Sequence, residues 1–328
     1  MKHRFPAIYF EATRLCNLSC PICMTSSNDE ERVRKSRGRE LSFQEIRDLV
    51  LVPAKRLGTV AVGWSGGEFL LRQDALDLLR LTAQLGYRCN VCSNCEILDR
   101  SLLEEMKGAA GGKLTISVGI NSIDEGNQWT RDTEADHSLE VLEICRELGI
   151  DRHDLKESFH PALRRSVNGY VSYTPFFLSP ELYEQVSGAR VEGRVPQNPP
   201  IGCWAGTWLT LNAEGDVSVC PVLLDELNGG NVQEKPLDEL VLQSKLFADI
   251  TDRSKLKGRC RRCRYQYTCG GCRAMAYFHS GDYMGEDPTC FFDPVDCTTV
   301  SEEEAETNRL FMKYLIVARH AGFYKRPI

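Results

Sequence analysis

The 328-residue chain has no run of 18 apolar residues, and its basic start, MKHRFPAIYFEATRLC, is followed by no long apolar segment because Arg14 interrupts it. Neither a membrane-spanning helix nor an export signal is expected, and the chain reads as cytosolic. It has no excess of positive charge. Lys and Arg number 40 against 46 Asp and Glu, a net charge of −6, so nothing electrostatic points to a nucleic acid or an anionic membrane. At 42% apolar and 26% charged, the composition is ordinary globular, with room for one large domain or two smaller ones.

What abounds is cysteine. Fifteen cysteines in a chain without an export signal are read as metal ligands before disulfides. Their distribution is uneven, with three at the start and eight from Cys203 to Cys297. Cys16, Cys20 and Cys23 form C-x3-C-x2-C. Three thiolates hold three corners of a four-iron cluster and leave the fourth iron for a reacting ligand, whereas four cysteines close a cluster for electron transfer. The alternative is a zinc knuckle, but zinc asks for four ligands, and no His or Cys follows Cys23 at knuckle spacing.

The first half alternates strands and helices. Residues 7–13, 59–64, 87–93 and 113–120 read as strands, being β-branched, aromatic and apolar. Between them, Ser42-x-x-Glu45 opens a helix as a capping box, residues 73–86 form a helix ending at Gly86, Ser101-x-x-Glu104 caps a short helix, and residues 138–150 form another. This order predicts a parallel sheet with right-handed crossovers. The cysteine run leaves the end of the first strand, where α/β enzymes build their sites. Ser65-Gly66-Gly67-Glu68 follows the second strand, and its glycines let backbone approach a ligand closely.

Cys89, Cys92 and Cys95 imitate a CxxCxxC site. Side chains alternate faces along a strand, so Cys89 and Cys92 cannot easily share a cluster. They and Cys145 read as buried thiols acting as small apolar residues. In the second half, LTLNAEGDVSVC has the pattern strand, turn, strand, which brings Cys203 and Cys220 to one end of a hairpin. Cys260, Cys263, Cys269 and Cys272 form C-x2-C-x5-C-x2-C, and Cys290 follows. CxxC pairs suit zinc equally well, but seven cysteines behind the N-terminal run favour iron–sulfur. Asp282 and Glu286 could serve as acid or base, with turn capping the favoured role. Residues 301–324 read as an amphipathic helix with acids in its first turn.

These motifs together resemble the radical S-adenosylmethionine (SAM) superfamily with the auxiliary-cluster extension called SPASM, in the branch of haem-modifying, PQQ-type and peptide maturases. The resemblance implies an α/β fold: a partial (β/α)6 TIM-like barrel over residues 1–200 and a cysteine-rich α+β domain with a C-terminal helix over 201–328. Cys16, Cys20 and Cys23 would hold the SAM cluster. Ile22 would touch the adenine, Gly66, Gly67 and Glu68 the methionine amino group, Ser117 the ribose or carboxylate, and Arg131 the carboxylate. Two departures stand out. Phe69 replaces a proline, and Gly119 stands where the family carries an aspartate. Cys203, Cys220 and Cys272 would hold a first auxiliary cluster, and Cys260, Cys263, Cys269 and Cys290 a second, with Cys297 spare and structural. The implied cofactors are three [4Fe–4S] clusters and SAM. A reductant such as flavodoxin or ferredoxin would supply electrons, and the substrate would be a small molecule, a tetrapyrrole or a ribosomal peptide. After Ile150 no fifth strand is legible and the family's G-x-I-x-G-x-x-E is missing. Either the barrel is short or a segment is omitted, and omission is the expectation.

Overall fold

The computed structural model describes residues 5–21, 23–120, 125–154, 170–171, 203, 205–206, 208–263, 266 and 270–290. Six strands follow one another in parallel: β1 (Ala7–Glu11), β2 (Ala61–Ser65), β3 (Arg88–Ser93), β4 (Leu114–Val118), β5 (Asp151–Asp154) and β6 (Tyr170–Val171). Two more, β7 (Trp208–Leu211) and β8 (Val217–Ser218), form the expected hairpin. The sheet order is β6-β5-β4-β3-β2-β1-β7-β8. The hairpin does not stand apart from the barrel, because β7 pairs in parallel with β1, Tyr9 facing Thr210. The boundary expected at 200/201 and the helix expected at 301–324 lie outside the described residues.

The missing fifth strand is a correction. β5 starts directly after Ile150 and pairs with β4, Ser117 facing His153, and β6 continues the ladder. Its sequence, DRHD, has no apolar residue to announce a strand. A neighbouring ladder supplies the backbone partners regardless of side-chain type. A second correction concerns the third helix. It runs Arg100–Ala109 and is capped by Asp99, whose carboxylate accepts from Leu102 N at 2.8 Å, rather than by Ser101. The Ser42–Glu45 capping box is present in both directions. A helix the sequence did not announce, Glu125–Arg131, precedes Asp136–Leu148.

One face of the sheet is apolar. Ile8, Phe10, Val62, Trp64, Val91 and Ile116 lie in the core that the helices cover, and Phe10, Trp64 and Phe69 stack at 5.5 and 5.0 Å between ring centroids. The other face is polar. Tyr9 Oη and Ser65 Oγ stand 2.7 Å apart, and Ser117 Oγ donates to Asn90 Oδ1 at 2.8 Å. A sheet buried on both sides with one polar face is one that encloses a site.

Candidate active site and metal centres

The cysteine loop leaves β1 and folds down on the turn that leaves β2. Gly67 N donates to Thr13 O at 2.8 Å and Glu68 N to Leu15 O at 2.7 Å. The two glycines are required by this clasp. A Cβ on Gly66, whose φ is +131°, would stand 2.2 Å from Thr13 O, and one on Gly67 would stand 2.2 Å from Leu15 O. Glu68 is fully buried. Its Oε2 accepts from Ser93 Oγ at 3.0 Å and Asn94 N at 2.9 Å, and its Oε1 from Leu70 N. Burial pushes its carboxyl up, and these donors pull the other way. Glu68 therefore braces the ends of β2 and β3 as well as facing the loop.

Cys16, Cys20 and Cys23 share this loop, and the field of Cys20 and of Cys23 reaches Cys16. Burial first, then Glu68 and the neighbouring thiols, raise Cys16, against the Leu18 backbone hydrogen bond. Burial likewise raises Cys20, and the Arg131 charge opposes it. Sulfur-directed donors surround the loop: Asn94 Nδ2 reaches Cys16 Sγ at 3.7 Å, and Ser27 N reaches Cys23 Sγ at 3.3 Å. Such donors stabilise thiolates and ligated sulfur alike. No sequence pattern announced Asn94, which the end of β3 brings in, or Thr25 and Ser27, which follow Cys23 in the loop itself, Thr25 Oγ1 lying 3.3 Å from Cys23 Sγ. Ile22 lies outside the described residues.

Arg131 and Gly119 explain one another. The Arg131 guanidinium lies where a side chain at 119 would stand, 2.3 Å from an added Cβ. The glycine in place of the family's aspartate is what admits the arginine. Arg131 Nε is buried without a hydrogen-bond partner, a donor aimed at an acceptor that a carboxylate would supply. The backbone of Arg131 accepts from Cys20 Sγ at 3.0 Å, which docks the Glu125–Arg131 helix on the cysteine loop. Ser117 is 3% exposed and lies on the polar face, directed at Asn90 and beside Cys92.

Cys89 and Cys92 do lie on opposite faces. Cys89 Sγ points to Leu79 O on the covering helix, whereas Cys92 lies with Asn90, Ser65 and Ser117 on the polar face. Cys89 and Cys95 are buried as expected. The reading of Cys92 as a small apolar core residue is corrected: it is a polar-face thiol, pushed up by burial to about 11.

Glu11, at the end of β1, was not singled out in the sequence. It is 4% exposed and pushed up to about 8, first by burial and then by Asp225 and Glu214 against the pull of Arg14. Arg14 ties the cysteine loop to the hairpin, its Nε 3.1 Å from Glu214 Oε1 and its Nη1 donating to Thr25 O at 3.0 Å.

In the second half, Cys203, Cys220 and Cys272 share one neighbourhood. Cys220 is pushed up to about 12, first by burial and then by Cys203, with Cys272 contributing. Cys272 is raised first by burial and then by Cys203. Thiols, one buried and two half-buried, that oppose each other's ionisation are a donor set that metal charge would relieve. The Cys260 sulfur accepts from Arg273 Nη2 at 3.6 Å and Asp287 N at 3.5 Å. Cys290 follows Asp287 in the next turn. Cys269 and Cys297 lie outside the described residues. Among the described residues no three His, Cys, Asp or Glu converge as the ligands of a single ion. A cubane instead spreads its thiolates over separate corners. Asp282 and Glu286 cap turns, as expected: Asp282 Oδ1 accepts from Met284 N, and Glu286 Oε2 from Arg259 N at 2.7 Å.

Comparison with known proteins agrees with this geometry. The radical SAM superfamily pattern matches residues 10–164, and the SPASM iron–sulfur cluster-binding domain matches residues 203–264. An AdoMet-dependent heme synthase of Methanosarcina barkeri is 24% identical, over 88% of this chain and 96% of its own. A PqqA peptide cyclase of Bradyrhizobium diazoefficiens is 24% identical, over 94% and 92%. Both alignments are longer than the part of this chain they cover, so the relatives hold residues with no counterpart here. Among solved structures, Streptococcus suis SuiB bound to S-adenosylmethionine superposes with a TM-score of 0.61 at 17% identity, over 88% of this chain and 76% of its own. The structure called native anSMEcpe with bound AdoMet gives 0.58 at 15% identity, over 97% and 98%. Fold, motifs and relatives converge: this chain is a radical SAM enzyme with a SPASM iron–sulfur cluster-binding extension.

Proposed function

We propose that the protein abstracts a hydrogen atom from a small-molecule or tetrapyrrole-like substrate and oxidises or rearranges it in cofactor or natural-product biosynthesis. The observation that carries this reading is the clasp of the cysteine loop on the Gly66–Gly67–Glu68 turn, with the unpartnered Arg131 Nε beside it. Cys16, Cys20 and Cys23 hold the first cluster. Cys203, Cys220 and Cys272 hold a second. Cys260, Cys263, Cys269 and Cys290 hold a third. When bound, SAM on the open iron of the first cluster supplies a 5′-deoxyadenosyl radical by one-electron cleavage, and the protein supplies position and dryness. The Gly66–Glu68 turn takes the methionine amino group, Arg131 takes its carboxylate, Ser117 the ribose, and Ile22 the adenine. The polar face of the sheet, with Tyr9, Ser65, Asn90 and Cys92, lines the substrate space. A flavodoxin or ferredoxin delivers the electron.

A ribosomal peptide substrate is the second reading, favoured by the PqqA peptide cyclase relatives. The two separate by isotope: a deuterated tetrapyrrole that passes deuterium into 5′-deoxyadenosine supports the first, and transfer only from a peptide supports the second. The class of chemistry has its own test. Anaerobic reconstitution should give about 12 irons per chain, four for each cubane, and dithionite with SAM should release 5′-deoxyadenosine. Replacing Cys16, Cys20 and Cys23 by Ala should remove about a third of the iron and stop that release. Stoichiometric zinc with intact SAM would sink the proposal.

A further inference from the structure

Arg273 opens the Arg273–Ser280 helix and is 3% exposed. Its guanidinium turns back from the helix. Nη1 donates to Tyr283 O at 3.1 Å and Gly285 O at 2.6 Å, Nε to Gly271 O at 3.2 Å, and Nη2 to Cys260 Sγ at 3.6 Å. Among the described residues no carboxylate forms an ion pair with it. A buried cation is costly unless an anion faces it. The one group of potential negative charge that it donates to here is the Cys260 sulfur. Asp287, 2% exposed, belongs to the same knot. Its backbone N–H donates to Cys260 Sγ at 3.5 Å, but its carboxylate turns to the Cys272 backbone, Oδ2 accepting from Cys272 N at 2.7 Å. A Cβ on Gly271 would meet Arg273 Nη2, Asp287 Cβ and Cys260 Sγ, each at 2.8 Å, so the glycine is what lets the three close together.

We infer that Arg273 and Asp287 set the potentials of the two auxiliary clusters in opposite directions, Arg273 raising that of the cluster on Cys260 and Asp287 lowering that of the cluster on Cys272. The inference rests on the ligand sets proposed above. Reduction adds a negative charge to a cluster. A buried guanidinium hydrogen-bonded to a ligand sulfur stabilises that charge, and a buried carboxylate beside another ligand opposes it. Low local dielectric strengthens both effects. Both effects bias an electron reaching the pair toward the Cys260 side. Arg273 and Asp287 are tuning residues that touch ligands rather than substrate.

The test is a potentiometric titration followed by electron paramagnetic resonance, in full-length reconstituted protein carrying Cys16→Ala, Cys20→Ala and Cys23→Ala, so that only auxiliary signals remain. Iron content and resolved auxiliary signals before any further substitution test the ligand sets; two signals with about eight irons uphold them, and their failure would be visible there. Arg273→Gln should then move one signal to a more negative midpoint, and Asp287→Asn should move the other to a more positive one. Unmoved midpoints at full iron content, or both signals moving together in either variant, would overturn the inference while leaving the ligand sets standing. Should Arg273→Gln lose iron, Asp287→Asn decides: a positive shift of one signal supports the inference, and an unmoved one overturns it.

Discussion

Gly67 shows how little room the clasp leaves. Its Cβ would enter the space of Leu15 C and O and of Arg14 O, at 2.2 to 2.8 Å, and backbone atoms cannot turn aside as a flexible side chain does. Gly67→Ala is expected to cost about 1–3 kcal/mol as an overpacked site and to abolish SAM cleavage, read by denaturant titration and 5′-deoxyadenosine release. Glu11 carries the pH dependence. Its folded pKa is raised from 4.5 to about 8, so the protonated form is favoured by folding. The stability it contributes is full below about pH 4.5, declines as pH rises, and is lost above about pH 8. Glu11→Gln removes this dependence, so the variant should gain on the wild type across that window by a few kcal/mol at most, measured by urea denaturation at a series of pH values. A gain largest at pH 4 would refute the assignment. The cysteine triplet and the Gly-Gly-Glu turn were legible because each is a contiguous spacing. Glu11, Asn94 and Arg14 were not, because their roles come from partners on other elements. Arg131 was legible only through family likeness; its guanidinium takes the space of the missing aspartate, a relation that two residues twelve apart do not display.

At the scale of elements, the alternation of strands and helices was readable wherever strands were apolar, and unreadable at β5. A strand of Asp, Arg, His and Asp carries no hydrophobic period, and only its neighbour's unpaired edge explains it. The first four strands differ from expectation by a residue or two at their ends, which is where propensity decides least. The cap of the Arg100–Ala109 helix offers a direct comparison. Asp99→Ala should lower stability by about 1 kcal/mol, because the Leu102 N–H loses its acceptor. Ser101→Ala, at an exposed position inside the first turn, should stay within about 0.5 kcal/mol. Thermal or chemical denaturation of the pair distinguishes the two capping assignments.

For the whole molecule, the sheet does not respect the division between barrel and extension. β1 pairs with β2 on one side and with β7 on the other, so the strand that launches the cysteine loop is shared by the two halves. Arg14, reaching from that loop to Glu214 at the hairpin turn, repeats the link in side chains. The pairing has a consequence in time. A ribosome adding about 5–20 residues per second finishes β1 about 10–40 s before β7 emerges. During that interval one side of β1 has no ladder partner, and contacts of such long sequence separation are slow to form even once both strands exist. An open, apolar strand edge is a template for aggregation. The nascent chain thus has its greatest need of chaperoning before its last strands exist.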